Sequence, residues 1–116
     1  MLDPLAVLDR FGDEEFLREL WIKARGQLPM ELSGVEKLRG ESPHSELGKR
    51  LHKLRGLVAN FLEGGQAITQ LRHCEEICRQ TDGILPQQPW DDFCQTLSQE
   101  SSQLESWLAE RGFPCP

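Results

Sequence analysis

An all-α fold, an antiparallel up-down four-helix bundle with a short additional N-terminal helix, is predicted by three observations. Apolar residues recur at spacings of three and four along nearly the whole chain. Strand formers are scarce: tyrosine is absent, valine occurs only at positions 7, 35 and 58, and no alternation of apolar and polar residues is sustained. Turn signals at Gly12, Gly40-Glu41-Ser42-Pro43, Gly64-Gly65 and Asp82-Gly83 divide the chain into one short segment and four long ones.

Asp3 is placed to cap the first helix, with Pro4 at its first position and Leu5, Leu8 and Phe11 on one side until Gly12 breaks it. Asp13 starts a second helix, where Phe16, Leu17, Leu20, Trp21, Ala24 and Leu28 form a stripe that Leu32, Val35 and Leu38 continue. Pro29 removes one backbone hydrogen bond, so a kink is expected between Gly26 and Pro29. His44 falls in the turn that follows and is read as a surface residue serving the start of the third helix.

The third helix carries Leu47, Leu51, Leu54, Val58 and Phe61, and the fourth runs from Gln66 to Gln80 with Ala67, Leu71, Cys74 and Cys78 as its stripe. Thr81 to Pro89, with two prolines and Asp82-Gly83, reads as a loop. Phe93, Leu97, Leu104 and Leu108 define a last helix ending at Gly112, and Phe113 to Pro116 is expected to fray. The 116 residues form a single domain, with a core expected over residues 3–110.

Composition excludes several classes of function. A net charge of −6 and a pI near 5.0 argue against nucleic-acid binding, which depends on Lys and Arg neutralising phosphates. The longest apolar run, Leu5 to Leu8, is far short of the roughly 20 residues a membrane helix needs, and the acidic N-terminus lacks a signal-peptide pattern. A cytoplasmic location without direct membrane contact is therefore expected, including that of the cytosolic C-terminal module of a membrane-bound sensor kinase.

Cys74 and Cys78, on an apolar stripe, read as small core hydrophobes rather than disulfide or metal partners, since His73 points away from them. Trp21, Trp90 and Trp107 read as packing residues, and Asp13-Glu14-Glu15 as a charge run favouring the positive end of a helix dipole. A phosphate loop of the GxxxxGK[ST] type is absent, so autophosphorylation from ATP is not expected.

One position stands out. With the mean of the third helix's stripe at 0°, His52 lies at about 140°, on the solvent side. Around it are Gly48 at about 100°, Ala59 at about 120°, Ser45 at about 160° and Gly56 at about 180°, flanked by Arg55 at about 80° and Lys49 at about 200°. Glycine inside a helix costs about 1 kcal/mol relative to alanine, so Gly48 and Gly56 point to something outside that must approach closely. An imidazole is largely neutral near pH 7, and its free nitrogen can attack phosphorus while neighbouring cations offset phosphoryl charge.

The run His52-Lys53-Leu54-Arg55-Gly56-Leu57-Val58-Ala59-Asn60-Phe61 resembles the motif of histidine phosphotransfer (HPt) domains, His-x-Leu-Lys-Gly followed by small residues, Ala-Asn and an apolar residue. Phe11-Gly-Asp-Glu-Glu-Phe-Leu-Arg-Glu-Leu resembles that family's entry into its second helix, and the resemblance covers about residues 3–110. It implies a four-helix bundle in which His52 accepts a phosphoryl group from a receiver-domain aspartate and passes it to another receiver. Arg55, where the family usually has lysine, would keep positive charge near the phosphoryl group, with Lys49 beside it. Gly48, Gly56 and Ala59 would permit the receiver's close approach.

No cofactor is implied on this chain, and Mg²⁺ is expected on the partner receiver. The isolated domain is expected to be a monomer.

Two positions depart from the pattern. Arginine at 55 replaces a compact ammonium with a wider planar fork. Leu62 stands where the family commonly has a helix-ending glycine, so the third helix is expected to run about half a turn further toward Gly64, and no fourth-helix residue is carried over. The competing reading is a helical adaptor that binds a receiver or another helical partner without carrying phosphate.

Overall fold

The computed structural model describes residues 1–40 and 45–116. The expected turn residues Glu41, Ser42 and Pro43, and His44, lie outside the described residues. Five helices follow in order: α1 Pro4–Phe11, α2 Glu14–Gly40, α3 Leu47–Phe61, α4 Gln66–Gln80 and α5 Gln87–Glu110. Among the described residues there is no strand. Among the same residues no helix is long and apolar enough to cross a membrane.

The helices start where local chemistry directs them. The Asp3 carboxylate accepts from the Ala6 N–H at 3.2 Å, and Asp13 accepts from the Phe16 N–H at 2.8 Å, while Gly12 takes φ +95° between the two helices. Each long helix then buries its stripe: Leu17, Trp21, Ala24, Leu28 and Val35 on α2, Leu51, Leu54 and Val58 on α3, Leu71, Cys74 and Cys78 on α4, Phe93, Leu97, Leu104 and Leu108 on α5.

Consecutive helices pack together, so the four long helices form an up-down bundle with α1 laid against α2. The ring closes between its first and last members through Glu105 of α5. Its carboxylate accepts from Trp21 Nε1 and pairs with Arg25, each at 3.0 Å. The 45 Å long axis matches a 27-residue helix at about 1.5 Å per residue.

Three details differ from the sequence-based expectation, whereas α2 is the one long helix expected, continuous through Pro29. Gly26, Gln27, Pro29 and Met30 are exposed, so the missing hydrogen bond falls where water reaches the freed carbonyl of Arg25. α5 begins at Gln87 and includes Pro89, because first-turn N–H groups have no acceptor within the helix and a proline there loses nothing.

α3 stops at Phe61 instead of running on toward Gly64. Leu62 is its cap and is fully buried, and the chain reverses at Gly64 with φ +80°. The C-terminal tail is not frayed. Arg18 Nε donates to the Pro114 carbonyl at 2.7 Å and Arg25 Nη2 to that of Pro116 at 2.8 Å, holding the tail along α2 with Phe113 and Cys115 half-buried.

Two contacts fix the end of the bundle where α3 turns into α4. Arg10 donates to the Ala59 and Asn60 carbonyls, both at 3.0 Å, and pairs with Glu63 at 3.1 Å, placing a cation at the negative end of α3. Nearby, Phe61 stacks on Phe11 with centroids 5.0 Å apart and tilts against Trp21 at 5.4 Å. Across the core, Glu100 of α5 is 6% exposed, and its oxygens accept from the Gln66 and Ala67 N–H groups at 2.7 and 3.1 Å. That carboxylate caps α4 from a different helix.

Candidate functional site

α3 carries Lys49, Arg50, Lys53 and Arg55 and no acidic residue, in a chain whose net charge is −6. Its inner face is buried in the core, which turns His52 outward: the imidazole is 72% exposed. The two furrows beside α3 differ. On the α2 side Lys53 reaches Glu31 at 3.2 Å, and Arg50 lies over Gly34, its Nη1 3.5 Å from where a Cβ would stand. On the α4 side a groove of about 530 Å³ remains open, lined by Gly48, Lys49, His52, Arg55, Glu75 and Arg79, and closed at one end by the turn at Asp82-Gly83.

Within this groove His52, Arg55 and Glu75 form a contact triangle. Arg55 Nε lies 2.8 Å from Glu75 Oε2, Arg55 Nη2 lies 3.0 Å from His52 Nδ1, and Glu75 Oε1 lies 3.3 Å from the same Nδ1. Among the described residues, both contacts of the ring are made by Nδ1 and none by Nε2. Exposure falls steeply through the triangle, from 72% at His52 to 31% at Arg55 and 13% at Glu75. The imidazole is in solvent and the carboxylate that contacts it is in the wall.

Of the residues singled out by sequence, the structure brings His52, Arg55, Lys49 and Gly48 to this groove. Lys49 is exposed and 3.5 Å from Glu46. Gly56 is exposed on α3 but outside the groove, with no heavy atom within 4 Å of a Cβ built there. Ala59 does not line the groove: about two turns along, its carbonyl is taken by Arg10 at the other end of α3. His73 is exposed on α4 and does not line the groove.

Glu75 and Arg79 were missed by sequence reasoning. On the α4 wheel Glu75 lies about 70° from the mean of the apolar stripe, at the border of the buried face, a position from which a carboxylate can reach a neighbouring helix. Helix pairing is what gives that border residue a partner. Arg79, 74% exposed, pairs with Glu76 on its own helix at 2.6 Å.

Cys78 also lines the groove, but burial, followed by the charge of Glu75, pushes its thiol up to about 11. Burial likewise pushes Cys74 up to about 12. Neither thiol is ionised near neutral pH. Comparison with protein-family models, with curated proteins and with solved structures gives no match for this chain.

Proposed function

We propose that the chain is a phosphorelay intermediate of a two-component signalling system, free-standing or a module of a hybrid sensor kinase, acting in the cytosol. The observation that carries this reading is the exposed imidazole of His52 on a helix of basic and small residues, with an arginine 3.0 Å from its ring. Nε2 attacks the phosphorus of a receiver's aspartyl phosphate in line. The new N–P bond forms as the P–O bond breaks, and the aspartate carboxylate leaves. Transfer onward reverses these events at a second receiver.

The chain supplies the nucleophile, the cations of Arg55 and Lys49 near the phosphoryl oxygens, and a docking surface with Gly48 and Gly56. Mg²⁺ belongs to the receiver's acidic pocket.

The test is incubation with receiver domains phosphorylated by a small phosphodonor, following acid-labile, base-stable phosphate on the wild type and on His52→Gln. Label on the wild type and its complete loss in the variant are expected. The variant should keep its helicity and thermal midpoint, because the side chain it alters is 72% exposed. Absence of label from every receiver, with binding retained, overturns the relay in favour of the adaptor.

A further inference from the structure

The two neighbours of His52 make incompatible demands on one atom. A guanidinium is always a donor, so Arg55 Nη2, at 3.0 Å, can hydrogen-bond Nδ1 only when Nδ1 carries no proton. A carboxylate is an acceptor, so Glu75 Oε1, at 3.3 Å, can hydrogen-bond Nδ1 only when Nδ1 is protonated. In neutral imidazole one nitrogen carries the hydrogen and the other the lone pair, and the partner of one nitrogen decides which. Arg55 thus selects the Nε2–H tautomer, whose outer nitrogen has no lone pair to give. Glu75 selects the Nδ1–H tautomer, whose Nε2 is nucleophilic.

We infer that Arg55 and Glu75 form a two-position tautomer switch on His52, with Arg55 holding the imidazole inactive until an anionic phosphoryl donor draws the guanidinium off Nδ1 and leaves the ring to Glu75. The consequence for phosphotransfer rests on the relay reading, whereas the switch itself concerns only these three side chains.

A second observation shows why Arg55 can be drawn away. Its Nε is buried and sits 2.8 Å from Glu75 Oε2, yet the N–H is not aimed well enough to make a hydrogen bond. The pair is thus held by charge and not by an aligned hydrogen bond, so the guanidinium can turn toward a dianionic oxygen without breaking a directed bond at Nε.

In the switch the neutral ring exchanges its proton with water, losing it from Nε2 and regaining it at Nδ1. In the attack the Nε2 lone pair forms the N–P bond and the leaving group departs with its bonding pair. The Nδ1 proton, held by Glu75, is then released to solvent to give a neutral phosphoimidazole.

The experiment is ¹⁵N NMR of the histidine ring in the full chain, above the usual titration range of imidazole, on wild type, Arg55→Ala, Glu75→Ala and the double variant. His52→Gln identifies the signal by its loss. The wild type and Glu75→Ala are expected to show Nε2–H, and Arg55→Ala to move predominantly to Nδ1–H. The double variant is expected to return to Nε2–H, the form a free imidazole prefers, which assigns the shift to Glu75 and not to general loosening.

Phosphorylation by phosphoramidate, which needs no receiver, is expected to slow about tenfold in Glu75→Ala, equivalent to about 1.4 kcal/mol. An unchanged tautomer in Arg55→Ala overturns the switch even where receivers transfer phosphate normally. A tautomer that moves as expected while no receiver transfers phosphate sinks the relay and leaves the switch standing.

Discussion

Glu100 and Glu75 are the same chemical group used in opposite ways at two places in one bundle. Glu100, 6% exposed, gives both oxygens to backbone N–H groups at the start of α4, beside a glycine that leaves it room. Those donors cannot move without unwinding the helix. Glu75, 13% exposed, holds its oxygens 2.8 Å from Arg55 Nε and 3.3 Å from His52 Nδ1, on two side chains that can rotate away. A carboxylate committed to backbone is a fastener, and one committed to side chains can exchange partners. The fold places the first inside the core and the second on the wall of an open groove.

The strongest test of this contrast is Gly65→Ala. A Cβ at position 65 would collide with the Glu100 carboxylate, so either the carboxylate leaves its two donors or the start of α4 shifts. Overpacking and orphaned N–H groups together should cost about 3 kcal/mol or more. Urea denaturation reads this directly, and a loss below about 1 kcal/mol would mean that Glu100 has room to move and is no fastener.

The next test removes each carboxylate in turn. Glu100→Ala should cost about 2 kcal/mol, the worth of a helix cap plus buried donors left unpaired. Glu75→Ala should cost under about 1 kcal/mol, because truncation in the wall of an open groove lets water reach the Arg55 Nε it faced and His52 is already 72% exposed. Equal losses in the two variants would break the comparison, since they would make Glu75 a structural residue as well.

Much of the fold was legible because it is local. The stripes of α2 to α5 follow from the helical period, and the caps at Asp3 and Asp13 from side chains that bond an N–H three residues on. His52 was legible for the same reason, since a wheel drawn on α3 alone turns it outward and sets Gly48, Lys49 and Arg55 around it. What was not legible depends on which helices meet. Glu100 bonds residues more than 30 positions away, and the tail is held by Arg18 at a separation of 96 residues.

No periodicity announces such contacts. Glu75 lay in between: its border position on α4 is computable, but its role needed α3 beside it. Ala59 was set beside His52 by angle alone, and distance along the helix axis puts it outside the groove. Leu62 misled for a related reason, because a buried cap ends α3 without the glycine that a local rule expects.

The smallest effect is also the one that separates folding from function on α3. At Gly48 and at Gly56 a Cβ would meet no heavy atom within 4 Å, so alanine fits both sites without displacement. Each substitution should stabilise the protein by about 0.5–1 kcal/mol, because glycine inside a helix loses more backbone entropy than alanine. If the shelf exists for a partner's approach, the same variants should slow phosphotransfer from a receiver while leaving the phosphoramidate reaction at wild-type rate, since that donor is small enough to reach Nε2 past a methyl group. Gly48 lines the groove and Gly56 lies outside it, so a larger effect at Gly48 would place the partner over the α4 side of His52. A larger effect at Gly56 would place it over the outer face of α3. Gains in stability with transfer unchanged at both positions would remove the shelf from the docking surface and leave the triangle of His52, Arg55 and Glu75 as the whole of the site.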